Sequence, residues 1–136
     1  MKLTRDTFEE FLSFGNSQFP KNLIDKGDCW DHTLDGLSIN KNTFDDTISF
    51  HSVGTCRSQW GDCERTEEDA VTGAIDVDIT PKQFIKLEDE YEKMYEWCCD
   101  NDYDLSEVRF YKKKKQLYVQ FIVETPDTFE TWEYKI

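Results

Sequence analysis

Apolar residues follow two rhythms along this chain, and each rhythm predicts a different element. Phe8, Phe11 and Leu12 share one helical face; Thr4 precedes them as a cap, and Leu3 with Phe8 occupies the two positions of a hydrophobic staple. Gly15-Asn16 reads as the stop of this short N-terminal helix. Residues 17–43 carry Pro20 and many Asn and Asp, so they read as loop with a short strand at Leu37–Ile39. Between Phe44 and Val53, Ile48 and Phe50 alternate with Thr47, Ser49 and His51, the period of a strand. Gly54 to Asp69 lose the alternation and read as an exposed, irregular, acidic excursion. Val71, Gly73, Ile75, Val77 and Ile79 then alternate with polar residues as a half-buried strand.

The strongest local signal follows. Thr80 can cap, Pro81 suits the first helical position, and Gln83 completes a T-x-x-Q capping box. Phe84, Leu87, Tyr91, Met94 and Cys98 step by three or four, which predicts an amphipathic helix over about 81–100. After a polar turn come three more alternating runs: Val108 and Phe110, then Leu117 to Val123, then Phe129 to Tyr134. The order α-β-β-α-β-β-β predicts an α+β domain covering 1–136: an antiparallel sheet of about five strands, the long acidic helix packed across it, and the short N-terminal helix. No internal repeat and no linker stand out.

Charge changes the picture. From Trp60 to Glu107 there are sixteen carboxylates against four cations, a net −12 of the chain's −13. Between Glu88 and Asp100 the long helix carries Glu88, Asp89, Glu90, Glu92, Glu96 and Asp100 against the single cation Lys93, over about 20 Å of axis. Glu88, Glu92 and Glu96 recur at i, i+4 and i+8, where like charges repel, and acids at the helix C-terminus oppose its dipole. Such a cost suits either a solvated face or an anionic docking surface. The partner-binding candidates are Asp62, Glu64, Glu67, Glu68, Asp69, Asp76, Asp78, Glu88, Glu92, Glu96, Trp97, Asp100, Asp102, Tyr103 and Asp104, with Trp60 and Tyr95 interleaved. Trp and Tyr are the usual anchors of interfaces, although here they also flank the core stripe.

The same charge excludes partners, because it repels phosphates and anionic lipid and attracts basic protein surfaces. The Lys112–Lys115 run reads as a solvated hairpin tip. No run of 18 apolar residues is present, the N-terminus lacks a signal-peptide core, and five cysteines with Cys98 and Cys99 adjacent suit reduced thiols. The expected location is cytoplasmic.

Catalytic motifs are missing: there is no glycine-rich phosphate loop, G-x-S-x-G or H-E-x-x-H. His51 and Cys56 offer a base and a nucleophile without a third residue, and the expectation is a non-enzyme. No cofactor is expected, with zinc on Cys29, His32, Cys56 and Cys63 as the alternative. In size and charge the chain resembles acidic anti-restriction, anti-CRISPR and other anti-defence proteins of phages, with no motif in common. The resemblance implies an inhibitor that occupies the basic groove of a nucleic-acid-handling enzyme in a bacterial host, imitating DNA or RNA. An immunity-type protein that neutralises a toxin nuclease needs the same electrostatics. A zinc-stabilised module or small enzyme using the Cys and His set is the reading from a different class.

Overall fold

The computed structural model describes residues 2–18, 32–41, 47–58, 61–72 and 77–136. In chain order the elements are β1 (Lys2–Leu3), α1 (Arg5–Gln18), β2 (His32–Lys41), β3 (Thr47–Ser58), β4 (Gly61–Thr72), β5 (Val77–Ile79), α2 (Pro81–Asn101), β6 (Asp104–Lys113), β7 (Gln116–Glu124) and β8 (Phe129–Lys135). The fold is α+β, as the patterning predicts, but it has two antiparallel sheets where one was expected. Each is a three-stranded meander with a short strand added at one edge, giving the orders β4-β3-β2-β5 and β1-β6-β7-β8.

The two sheets belong to one unit used twice. The runs β1-α1-β2-β3-β4 and β5-α2-β6-β7-β8 have the same element order, and their first strands are exchanged: β1 pairs with β6, and β5 pairs with β2. Leu3 stands opposite Val108 as Ile79 stands opposite Leu37. The ladder slips at the same place in both, between Leu34 and Gly36 in β2 and between Leu105 and Glu107 in β6. Both helices open alike. The Thr4 and Thr7 side chains each accept from the other's backbone N–H, as do Thr80 and Gln83. The expectation of no repeat therefore fails. Only Leu3-Thr4-x-x-Thr7-Phe8-x-x-Phe11 and Ile79-Thr80-x-x-Gln83-Phe84-x-x-Leu87 carry it in sequence, and a handful of caps and apolar positions is easily overlooked.

The buried residues form one cluster drawn from both units. Phe8 on α1 meets Phe121 and Phe110 of the second sheet, with ring centres 5.8 and 6.3 Å apart. Phe11 and Phe14, one turn on, meet Phe50 of the first sheet at 5.4 and 6.1 Å. One face of α1 thus bridges the two sheets. On α2 the stripe Phe84, Leu87, Tyr91, Met94 and Cys98 is buried as its spacing predicts.

Three element boundaries differ from expectation. Gly15 does not stop α1, which runs on to Gln18. The described residues between Gly54 and Asp69 are no irregular excursion: they belong to the β3–β4 ladder, which has twelve rungs and sets Ser58 opposite Gly61. β4 is poor in β-forming residues and is held by that ladder, and its acids suit an edge strand, where charge discourages pairing with other chains. Of the strand expected over Val71–Ile79, Val71 and Thr72 belong to the β4 ladder and Val77–Ile79 pairs with β2, while 73–76 lie outside the described residues. α2 ends at Asn101, and Asp102 in the left-handed conformation (φ 59°) turns the chain into β6.

Candidate partner-binding surface

The helix α2 was expected to present one acidic ridge, and its two halves behave differently. Glu88 is buried and accepts a hydrogen bond from the Asn16 side-chain amide of α1, so it is removed from the ridge. Its counterpart in the repeat is Leu12, which is also buried. Glu90 is held by Lys93 at 3.6 Å, with only 15% of its side chain exposed. From Glu92 onward the acids face water. Glu92, Glu96, Asp100, Asp102 and Asp104 are exposed, and no described cation pairs with the first four. Asp104 lies 3.5 Å from the Arg5 guanidinium and keeps 80% of its side chain exposed.

Arg5 ties this surface to the core. It pairs with Glu9, 3.1 Å away, and lies over the Tyr95 ring at 5.0 Å. Glu9 also accepts from the Tyr91 hydroxyl. The Tyr91 hydrogen bond, with help from Arg5, holds the Glu9 carboxyl below its usual range. Burial, then the Glu9 hydrogen bond, pushes the Tyr91 phenol up. On the second sheet, Tyr111 is likewise pushed up to about 12, chiefly by its hydrogen bond to Glu133.

Two of the aromatic candidates are structural. Trp97 is half-buried, with its ring 4.8 Å from Trp132 and 5.1 Å, edge-on, from Tyr103. Trp97 thus packs on Tyr103 and on Trp132 of β8, and both candidates keep part of their surface exposed. Tyr95 is the exposed ring on this flank.

The β4 acids are divided by register. Asp62, Glu64 and Glu68 stand on rungs with Arg57, Thr55 and His51, while Glu67 and Asp69 alternate with them on rungs with Ser52 and Phe50. They therefore occupy alternating positions of the strand, whose successive residues face opposite sides of a sheet. Asp76, Trp60 and Cys29 lie outside the described residues. Asp78 stands beside the N-terminus of α2, and Glu92 is about 18 Å further along the helix axis. Asp78 and the exposed acids from Glu92 onward therefore lie toward opposite ends of α2.

The site at the N-terminal end was largely missed. A cavity of about 310 Å³ opens over the β2 bulge, lined by Asp35, Gly36, Ser38, His51, Asp78 and Thr80 among others. The available signal was Gly36 inside a strand, which marks a bulge or a close approach. His51 and Cys56 do not form a catalytic pair. They are five residues apart on β3, which separates their backbones by about 17 Å. Among the described residues no group of three or more His, Cys, Asp or Glu is arranged to hold a metal, and no helix is long and apolar enough to cross a membrane. Comparison with known proteins gave no match to a family model, to a curated protein or to a solved structure.

Proposed function

We propose that this protein is a non-enzymatic inhibitor that seats its acidic flank in the basic groove of a nucleic-acid-handling enzyme, in the manner of phage anti-defence proteins. One observation carries the reading. Glu92, Glu96 and Asp100 stand one above another on the exposed side of α2, at its C-terminal end, without described counter-charges. Like-charge neighbours at this spacing cost about 0.2–0.5 kcal/mol per pair. Opposition to the helix dipole adds about 0.3–1 kcal/mol for each acid in the last turn. Lysine or arginine from a partner would remove both costs on binding. With Glu88 withdrawn, the exposed acids lie about 6 Å apart along the axis, so imitation of phosphate spacing is coarse and the ridge acts as an electrostatic counterpart. An immunity-type protein against a toxin nuclease would use the same flank.

The test is capture of partners from bacterial lysate at low and moderate salt, using the wild type and the Glu92→Lys, Glu96→Lys, Asp100→Lys triple variant. A nucleic-acid-handling enzyme should be captured by the wild type, released as salt rises, and lost with the variant. Capture indifferent to the three reversals rejects the ridge.

Strand register supports a second reading. His32 stands opposite Cys56, and Cys56 stands opposite Cys63, so the backbones of three of the four zinc candidates lie on one rung across three strands. Elemental analysis decides this reading: one zinc per chain supports a zinc-stabilised module, and none removes it.

A further inference from the structure

We propose that the cavity over the β2 bulge is a receptor for an arginine side chain. The inference rests on the reading of this protein as a binder of basic partners, and it assigns that binding a second, specific contact at the other end of α2. At about 310 Å³ the cavity is near the lower end of ligand pockets, a size suited to one long side chain. Two carboxylates line it. Asp35 accepts from the Thr55 hydroxyl, which leaves further acceptor positions on its oxygens, and Asp78 is exposed. No described cation is within ion-pair distance of either. Ser38, which accepts from Asn40 at 2.7 Å, stands between Asp78 and His51 on the same rung.

The repeat supplies a template for the occupant. In the second sheet the corresponding hollow, about 240 Å³, is lined by Ser106, Glu107, Arg109 and Ile122. Arg109 is the counterpart of Ser38, because each follows the residue opposite the exchanged strand's last apolar position. There the guanidinium is held on the Glu107 carboxylate, at 2.9 Å from Nη2 and 3.1 Å from Nε. The fold thus seats an arginine over this bulge in one unit. In the other unit Ser38 replaces that arginine, and Asp78 stands where Lys2 does. Gly36 replaces Glu107, and a Cβ built on it meets nothing within 4 Å. The first-unit hollow carries its carboxylates at other positions, Asp35 in place of Ser106 and Asp78 in place of Lys2, and no guanidinium lines it among the described residues. A planar, permanently charged fork suits paired carboxylates better than an ammonium does.

The probe is N-acetyl-arginine amide titrated into the full-length protein and followed by amide NMR shifts, with the citrulline and lysine analogues alongside. Arginine should shift residues 35–38, 51–53 and 78–80, with affinity at least tenfold above lysine and no response to citrulline. Asp78→Asn should weaken binding about tenfold, and Gly36→Leu, which fills the hollow, should abolish it while the remaining spectrum stays native. The Glu92→Lys, Glu96→Lys, Asp100→Lys variant should bind arginine as the wild type does, so loss of the ridge and loss of the pocket are read separately. Equal shifts with citrulline, shifts spread along residues 92–104, or unchanged binding in both Asp78→Asn and Gly36→Leu would overturn the proposal.

Discussion

Phe84 of α2 closes over Gly15 of α1: a Cβ built on Gly15 would lie 2.7 Å from two atoms of that ring and 3.1 Å from Leu37. The ring is fully buried and edge-on to Phe11 at 5.9 Å, so it has little room to yield. The partner relationship across the repeat is Phe8 against Tyr91, with centres 5.1 Å apart, where the second helix carries a ring and the first has only hydrogen. Gly15→Ala should therefore destabilise the protein by about 1–3 kcal/mol, the usual range for overpacking. That outweighs the gain of up to about 1 kcal/mol that alanine brings to a helix interior. Gly36→Ala, facing open space, should stay within about 0.5 kcal/mol of wild type. Urea midpoints of the two variants check the contrast, and equal midpoints would remove the packing argument.

Glu88 and Glu92 lie one turn apart on α2, and their reversals should have different consequences. Glu88→Lys strips the Asn16 amide of its acceptor and forces an ammonium into a position that is 9% exposed. A loss of about 1–3 kcal/mol is expected for the lost hydrogen bond and the poorly solvated ammonium together. At this chain length that corresponds to a thermal midpoint lower by roughly 3–5 °C per kcal/mol. Glu92→Lys, on the exposed ridge, should leave the midpoint within about 2 °C, or raise it slightly by relieving the helix dipole. Thermal melts at one pH and salt concentration compare them directly.

What the sequence reveals and what it hides divide along the same line. Thr80, Pro81 and Gln83 announce the start of α2 because capping is a local exchange of hydrogen bonds within four residues. Leu117, Val119, Phe121 and Val123 announce β7 because one face of it meets the core. Asp62 to Asp69 announce nothing, since their strand exists only through its ladder to β3. The burial of Glu88 is also illegible: helical periodicity places it beside the core stripe, and only the docking of Asn16 from another helix decides its fate. The exposure of Glu92, Glu96 and Asp100 was legible, since no described cation pairs with them. The Asp35–Asp78 cavity was not, because its walls come from β2, β3 and β5 and meet only once the first strands are exchanged.

The Arg5–Glu9–Tyr91 link gives the fold a pH dependence of known sign. Glu9 is held below its ordinary value of 4.5 in the folded chain, so its contribution is complete above that value and is lost as pH falls through the lower, folded-state value. Tyr91 is raised above its ordinary 10.0, so its contribution is complete below that value and is lost as pH rises through the higher folded-state value. Tyr91→Phe removes the phenol and should cost about 1 kcal/mol at neutral pH. Its deficit relative to wild type should shrink at pH below 4.5, as Glu9 becomes protonated. Urea unfolding of both proteins at neutral and acid pH measures the difference, and a deficit that is constant with pH would detach Glu9 from Tyr91.

The exchanged strands make each unit depend on the other. Cutting the chain between Thr72 and Val77 gives fragments 1–72 and 77–136, each holding one helix, one meander and the short strand that belongs to the other sheet. Alone, the second fragment lacks β1 on β6, and its Phe110 and Phe121 lose the Phe8 ring that packs on them. The first likewise lacks β5 on β2 and the Phe84 ring against Phe11. Each fragment of about 60–70 residues is near the size at which a core is marginal even when complete. Neither should show native near-ultraviolet dichroism by itself, and an equimolar mixture should recover it as a one-to-one complex. Leu3→Asp in the first fragment should prevent that recovery, because Leu3 is buried opposite Val108 in the partner fragment's sheet. A second fragment that folds alone, or a mixture insensitive to Leu3→Asp, would show that the exchange of edge strands does not hold the two units together.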